Sequence, residues 1–137
     1  MDGHTIWSVP PDAPVIIAIR LMAEKQVGAL PVLRKGKLVG IISAKDCINK
    51  VILKGKSPEE TRVSKIMARD IIYAEPNQSI EDCLSIMSNE HIRHLPVMAN
   101  FKMVGFVSMG DLFNAMINEQ KDYIYHLENY VSGVEFV

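Results

Sequence analysis

The sequence predicts an α+β fold: two β-α-β-β-α repeats packed by pseudo-twofold symmetry, with a long C-terminal helix. Three observations carry that prediction. Sliding the 137-residue chain against itself by 65 positions aligns residues 6–52 with 71–117 without a gap, and 13 of the 47 pairs are identical, where shuffled residues of this composition would give about three. Apolar residues fall at 15, 18, 19 and 22 and again at 80, 83, 84 and 87, the i, i+3, i+4, i+7 stripe of a helix with one buried face. The phrase Gly-apolar-apolar-Ser-x-x-Asp occurs twice, as GIISAKD at 40–46 and as GFVSMGD at 105–111. Repetition on this scale indicates two copies of one supersecondary unit.

In chain order, each copy opens on a short apolar run that is stopped by proline and predicts a strand, Ile6–Val9 in the first and Ile71–Ala74 in the second. The striped helix follows. Ser79 with Asp82 fits a capping box at the second helix's start, and the first has Asp12 and Pro14 in that region. Strands come next at Ala29–Leu33 and Leu38–Ser43, and at His94–Met98 and Met103–Ser108. Between them RKGK is a good tight turn and ANFK a poorer one. A further helix starts near Asp46 or Asp111. The polar stretch KGKSPEETR at 54–62 reads as the connection between copies. Met67, in VSKIM, falls in a short helical lead-in to the second copy. Shifted back by 65, that lead-in starts before residue 1, so the first copy's equivalent is expected to be missing or truncated. The expected domains are 1–56 for the first repeat and 57–137 for the second, with its lead-in and extended helix. A three-stranded sheet with helices on one face is small for independent stability. The copies are therefore expected to share a core and to leave a cleft lined by equivalent residues, a place that ligands favour.

Composition narrows the function. The chain is 48% hydrophobic and 23% charged with a formal net charge of −1, so nothing in its bulk electrostatics favours nucleic acid or an anionic membrane. No apolar run approaches a membrane span, and the start, MDGHTIWSVPPD, lacks a signal peptide's apolar core. Cys47 and Cys83 form neither a CxxC nor a zinc-type spacing, which leaves a reducing, cytoplasmic setting as the expectation. HExxH, GxSxG and P-loop patterns are absent, and the lone glycines lack the GxGxxG spacing. No nucleophile–base pair assembles from local motifs, so neither catalysis nor a catalytic cofactor is expected. His91-x-x-His94 has no third ligand nearby in sequence, and a metal role is not expected there.

Two β-α-β-β-α copies, each with an apolar-Pro-Val strand (30–32 and 95–97) followed by Gly-apolar-apolar-Ser-x-x-Asp, resemble a pair of CBS (cystathionine-β-synthase) domains. The resemblance covers nearly the whole chain, and its strength lies in the motif's duplication in register with the Leu-Pro-Val strands. Such pairs form a Bateman module, which in many members binds adenine nucleotides such as AMP, ATP, NAD or S-adenosylmethionine and regulates an enzyme, channel or partner. The chain is most similar to stand-alone bacterial versions ending in S-x-G-D and a long helix.

The resemblance implies a site in each copy. Asp111 would accept both hydroxyls of a ribose, and Ser108 would offer a hydroxyl beside a helix start whose free amides suit a phosphate. Gly110 lies between them. Arg93 and His94 correspond to the basic pair that reaches phosphate in relatives, and Leu95-Pro96 would provide a wall and backbone groups for adenine. Ser43, Lys45 and Asp46, with Ala29, Leu30 and Pro31, would form the pseudo-symmetric second site. Gly40 and Gly105 would let a ring or backbone approach closely. The first copy departs further from the family: Gly28-Ala29 stands where the basic pair would be, and Ala44-Lys45 replaces the Glu-Arg of this subgroup, losing the guanidinium fork. Ser-x-x-Asp before a helix is also a capping arrangement that requires no ligand.

The second copy's last helix is expected to run on to a C-cap at Gly133. Along it Phe113, Ile117, Gln120, Ile124, Leu127 and Val131 are spaced 4, 3, 4, 3, 4, a heptad seam with one polar interruption. Together with the family's habit of dimerising, this implies a homodimer with that helix at or near the interface. The expected function is thus a ligand-responsive regulatory module binding an adenosine nucleotide (AMP, ATP or NAD(H)) and acting on an unknown regulated protein. The alternative is a protein-interaction or dimerisation module without a nucleotide.

Overall fold

The computed structural model describes residues 6–118. Trp7–Ile71 form one compact unit, and Ile6 with residues 72–118 belong to another. In the first unit, helix α1 (Val15–Lys25) leads to strands β1 (Ala29–Arg34) and β2 (Lys37–Ser43), then to α2 (Ala44–Cys47), which passes into a π-helical turn at Ile48–Ile52. A short 3₁₀ turn, Val63–Lys65, follows. The other unit repeats the plan with α3 (Ile80–Glu90), β3 (His94–Ala99), β4 (Lys102–Ser108) and α4, described from Met109 to Asn118. The seam positions Gln120, Ile124, Leu127 and Val131 lie outside the described residues.

The helix stripes bury as their spacing predicts. Val15, Ala18 and Met22 of α1 and Ile80, Cys83 and Met87 of α3 each enter a core with alternate strand residues. Those strand residues are Leu30, Val32 and Ile42 in the first unit and Leu95, Val97 and Val107 in the second. The two helices start differently. At α3, Ser79 accepts from the Asp82 amide at 3.0 Å while Asp82 accepts from the Ser79 amide at 3.3 Å, a complete capping box. Pro14 gives α1 no side-chain cap. Its first amides go instead to the connecting segment, Val15 to the Thr61 carbonyl at 2.8 Å and Ile16 to the Pro58 carbonyl at 2.9 Å.

Both strand pairs are antiparallel and share one register: Ala29 opposes Ser43 and His94 opposes Ser108. Both turns place their two central residues at positive φ, Lys35 and Gly36 in one, Asn100 and Phe101 in the other, the conformation of a tight hairpin. The edge strands expected at Ile6–Val9 and Ile71–Ala74 shrink to single parallel bridges, Val9 to Val32 and Ala74 to Val97. Pro10 has no amide hydrogen with which to extend the first of these.

The lead-in forms the short 3₁₀ turn, and its Val63, Ile66 and Met67 are buried in the first unit's core, so that compact unit runs on to Ile71. Ala68 bridges Ile41 on the outer edge of β2 through hydrogen bonds of 2.8 and 3.0 Å. Gly40 is required by this packing. A Cβ there would lie 2.5 Å from Met67 Sδ and 3.0 Å from the Ala68 carbonyl oxygen. The close approach read into Gly40 is therefore made by the chain itself.

Candidate functional site

In both copies the Ser-x-x-Asp phrase spans the junction where the second strand becomes a helix. Ser43 caps α2: its Oγ accepts from the Asp46 amide at 3.1 Å, and Asp46 Oδ2 accepts from the Ser43 amide at 3.2 Å. Ser108 and Asp111 repeat the arrangement at 2.9 and 3.1 Å. The first amide of each helix also binds back to the chain just ahead of the hairpin's first strand, Ala44 to the Gly28 carbonyl (2.9 Å) and Met109 to the Arg93 carbonyl (2.8 Å). The helix start and the strand start are thereby held side by side in both units.

Strand alternation sorts the remaining candidates. Leu30 and Leu95 lie on the core faces, 1% and 0% exposed, so their side chains are committed to packing. Ala29, Pro31 and Ser43 share the opposite face in the first unit, as His94, Pro96 and Ser108 do in the second. Any wall for a flat ring therefore falls to Pro31 and Pro96. Their carbonyls already accept from Val9 (3.2 Å) and Ala74 (2.9 Å).

Around this shared frame the two sites differ. In the second unit His94 stacks on Phe106 with ring centroids 5.8 Å apart and planes 15° from parallel, a diagonal cross-strand pair. Burial holds the His94 pKa below its ordinary value; nearby Asp111 opposes that shift and Arg93 reinforces it. Asp111 engages Oδ2 alone, and its Oδ1 takes no hydrogen bond from the described residues. Arg93 is exposed. Gly110 is exposed, and among the described residues outside its own helix backbone and chain neighbours the nearest atom to a built Cβ is Ser108 Oγ at 3.8 Å. In the first unit Lys45 is exposed and Ala29 offers no polar group. Asp46 Oδ2 also accepts from Ser43 Oγ at 3.0 Å, and Asp46 Oδ1 faces Lys50 Nζ at 3.2 Å. Lys50 donates in turn to the Ile66 carbonyl at 3.1 Å.

Sequence reasoning passed over two of these residues. Lys50 carried a readable signal, a cation four residues after an aspartate on a helix. Phe106 carried one only once the strand register is known. His91, the partner of His94 in the His-x-x-His spacing, is the left-handed C-cap of α3, its amide bound to the Met87 and Ser88 carbonyls. Among the described residues no group of three or more His, Cys, Asp or Glu side chains converges as a metal site would require, and no helix is long and apolar enough to cross a membrane.

The CBS domain family matches residues 4–53 and 63–118. The chain is 33% identical over 137 residues to the mitochondrial CBS domain-containing protein CBSX3 of Arabidopsis thaliana, covering 96% of this chain and 66% of that protein. It thus spans just under two thirds of that relative's length. A solved CBS-domain protein from Burkholderia ambifaria MC40-6 superposes with a TM-score of 0.82 at 40% identity, over 88% of this chain and 89% of that one. The CBS domain pair of protein MJ0100, solved in complex with 5′-methylthioadenosine and S-adenosyl-L-methionine, shares the fold with a TM-score of 0.74 at 23% identity, over 88% of this chain and 94% of that one. CBS pairs of this kind are in general regulatory, non-catalytic modules.

Proposed function

This chain belongs to the CBS-domain family, and on that premise we propose that it binds an adenosine nucleotide of the AMP, ATP or NAD(H) class and relays its presence to a regulated protein. Asp111 accepts the ribose hydroxyls. Ser108, Arg93 and His94 meet phosphate at the start of α4, with Gly110 keeping that start open, and Pro96 walls the base. Ser43, Lys45 and Asp46, with Ala29 and Pro31, line the equivalent position in the first copy. One observation carries this reading: Asp111 lies close enough to His94 to act on its titration, and one of its carboxylate oxygens is uncommitted among the described residues. The adenosine compounds held by MJ0100 on the same fold support the ligand class.

Titration calorimetry with AMP, ATP and NADH tests the reading. Asp111→Ala should weaken binding at least tenfold, since a hydrogen bond to a charged group contributes about 1.5–3 kcal/mol. Absence of heat and of thermal shift with all three compounds would sink it.

A second reading, a dimerisation module whose Ser-x-x-Asp pairs act only as caps, is favoured by the complete capping geometry at both positions and by exposed apolar side chains. Ile48, Ile52 and Leu53 are exposed in the first unit, as are Phe113, Met116 and Ile117 on α4. These suit a homodimer with α4 at or near its interface, and sedimentation showing only monomer at micromolar concentration would exclude it. The cytoplasmic, reducing setting belongs to the same proposal. Cys47 and Cys83 are buried free thiols, each pushed up to about 11 by burial and by a neighbouring aspartate, so they stay protonated and unreactive.

A further inference from the structure

We propose that Lys50 closes the first copy's carboxylate to ligand, so that the chain takes one adenosine nucleotide and not two. This rests on the nucleotide reading above. A carboxylate offers about four lone-pair positions on its two oxygens. At Asp46 three are in use: Oδ2 accepts from the Ser43 amide at 3.2 Å and from the Ser43 hydroxyl at 3.0 Å, and Oδ1 faces the Lys50 ammonium at 3.2 Å. A ribose diol needs two acceptors, and one is left. At Asp111 the described residues use one position, through the Ser108 amide at 3.1 Å, which leaves room for both hydroxyls.

Lys50 is not a loose surface cation. Its ammonium also donates to the carbonyl of Ile66 at 3.1 Å, and Ile66 is buried in the first unit's core. Swinging Lys50 aside to admit a ribose would break two bonds and leave that carbonyl without its donor. With the Lys50 side chain 48% exposed and Asp46 20%, the ion pair adds little to stability; its effect is to occupy an acceptor. The second copy has Ala115 at the equivalent position, buried and without a donor. The same helix position thus holds a counter-ion in one copy and a core methyl in the other.

Calorimetry with AMP should give one site per wild-type chain, and Asp111→Ala should remove measurable binding. Adding Lys50→Met to Asp111→Ala should restore measurable binding, now at the first site. Lys50→Gln, which keeps a neutral donor for the Ile66 carbonyl, carries the same test should the methionine variant fail to fold. Two wild-type sites of equal affinity would overturn the proposal. So would wild-type binding that Asp111→Ala abolishes and neither Lys50 variant restores, and in that case the nucleotide reading stands. Silence of the wild-type chain toward AMP, ATP and NADH removes the nucleotide reading and this proposal with it.

Discussion

Asp46 and Asp111 hold the same place in the two copies and meet different neighbours. Asp46 is bound by its own cap and by Lys50, which is tied to the segment that follows the first copy. That segment also supplies the carbonyls that cap α1, fills the space left by Gly40 and covers the outer edge of β2. The second copy draws on its own residues for these tasks where the described residues show them: Ser79 and Asp82 cap α3, and His94 stacks on its neighbour Phe106. The core positions of the striped helices and hairpins correspond in the two copies, while the polar positions serve separate tasks.

The largest test of that contrast lies in the cores. Leu30→Ala and Leu95→Ala should each cost about 2–5 kcal/mol, read from urea unfolding. A large disparity between them would break the claim that the apolar frames are equivalent. Next in size is Gly40→Ala, which drives a methyl against Met67 and the Ala68 carbonyl and should cost about 1–3 kcal/mol in the same measurement. A neutral result would show that the following segment yields easily and is not a fixed part of the first unit.

A smaller effect separates the hairpins. Phe101 sits fully exposed at φ 64°, where the first copy has Gly36 at φ 81°. Phe101→Gly should therefore raise stability by about 0.5–1 kcal/mol, seen as a higher Tm. The smallest concerns His94. Burial makes it harder to protonate in the folded chain than in the unfolded one, with Asp111 opposing and Arg93 adding to that effect. Its contribution to stability is thus complete above pH 6.5, its ordinary value, and declines as pH falls below it. His94→Gln should flatten that decline. The pH dependence of AMP affinity should also change in His94→Gln, because a protonated His94 adds charge beside the phosphate.

The parts of this structure visible in the sequence are those with local causes. The stripe at 15, 18, 19 and 22 made α1, Ser79 with Asp82 made the α3 cap, and the repeated Leu-Pro-Val strands fell into one register. The edge strands were read too long, because an apolar run does not show how few partners it will find beside a proline. The destination of VSKIM was hidden for a different reason. Its burial beneath Gly40 is a tertiary choice, and a polar connection followed by three apolar residues fits either neighbour. At the candidate site the aspartates and serines were legible. Lys50 matters through a hydrogen bond to Ile66, sixteen residues away, and no local pattern announces that.

The capping box has a consequence for how such proteins change over generations. Ser43 and Asp46 hold the start of α2 whether or not anything else visits them, so selection for folding alone keeps both. A copy that stops recognising its ligand therefore goes on displaying the signature. On the proposal that the first copy takes no nucleotide, the difference between the copies lies beside the motif, at 28 and 29, 45, and above all 50.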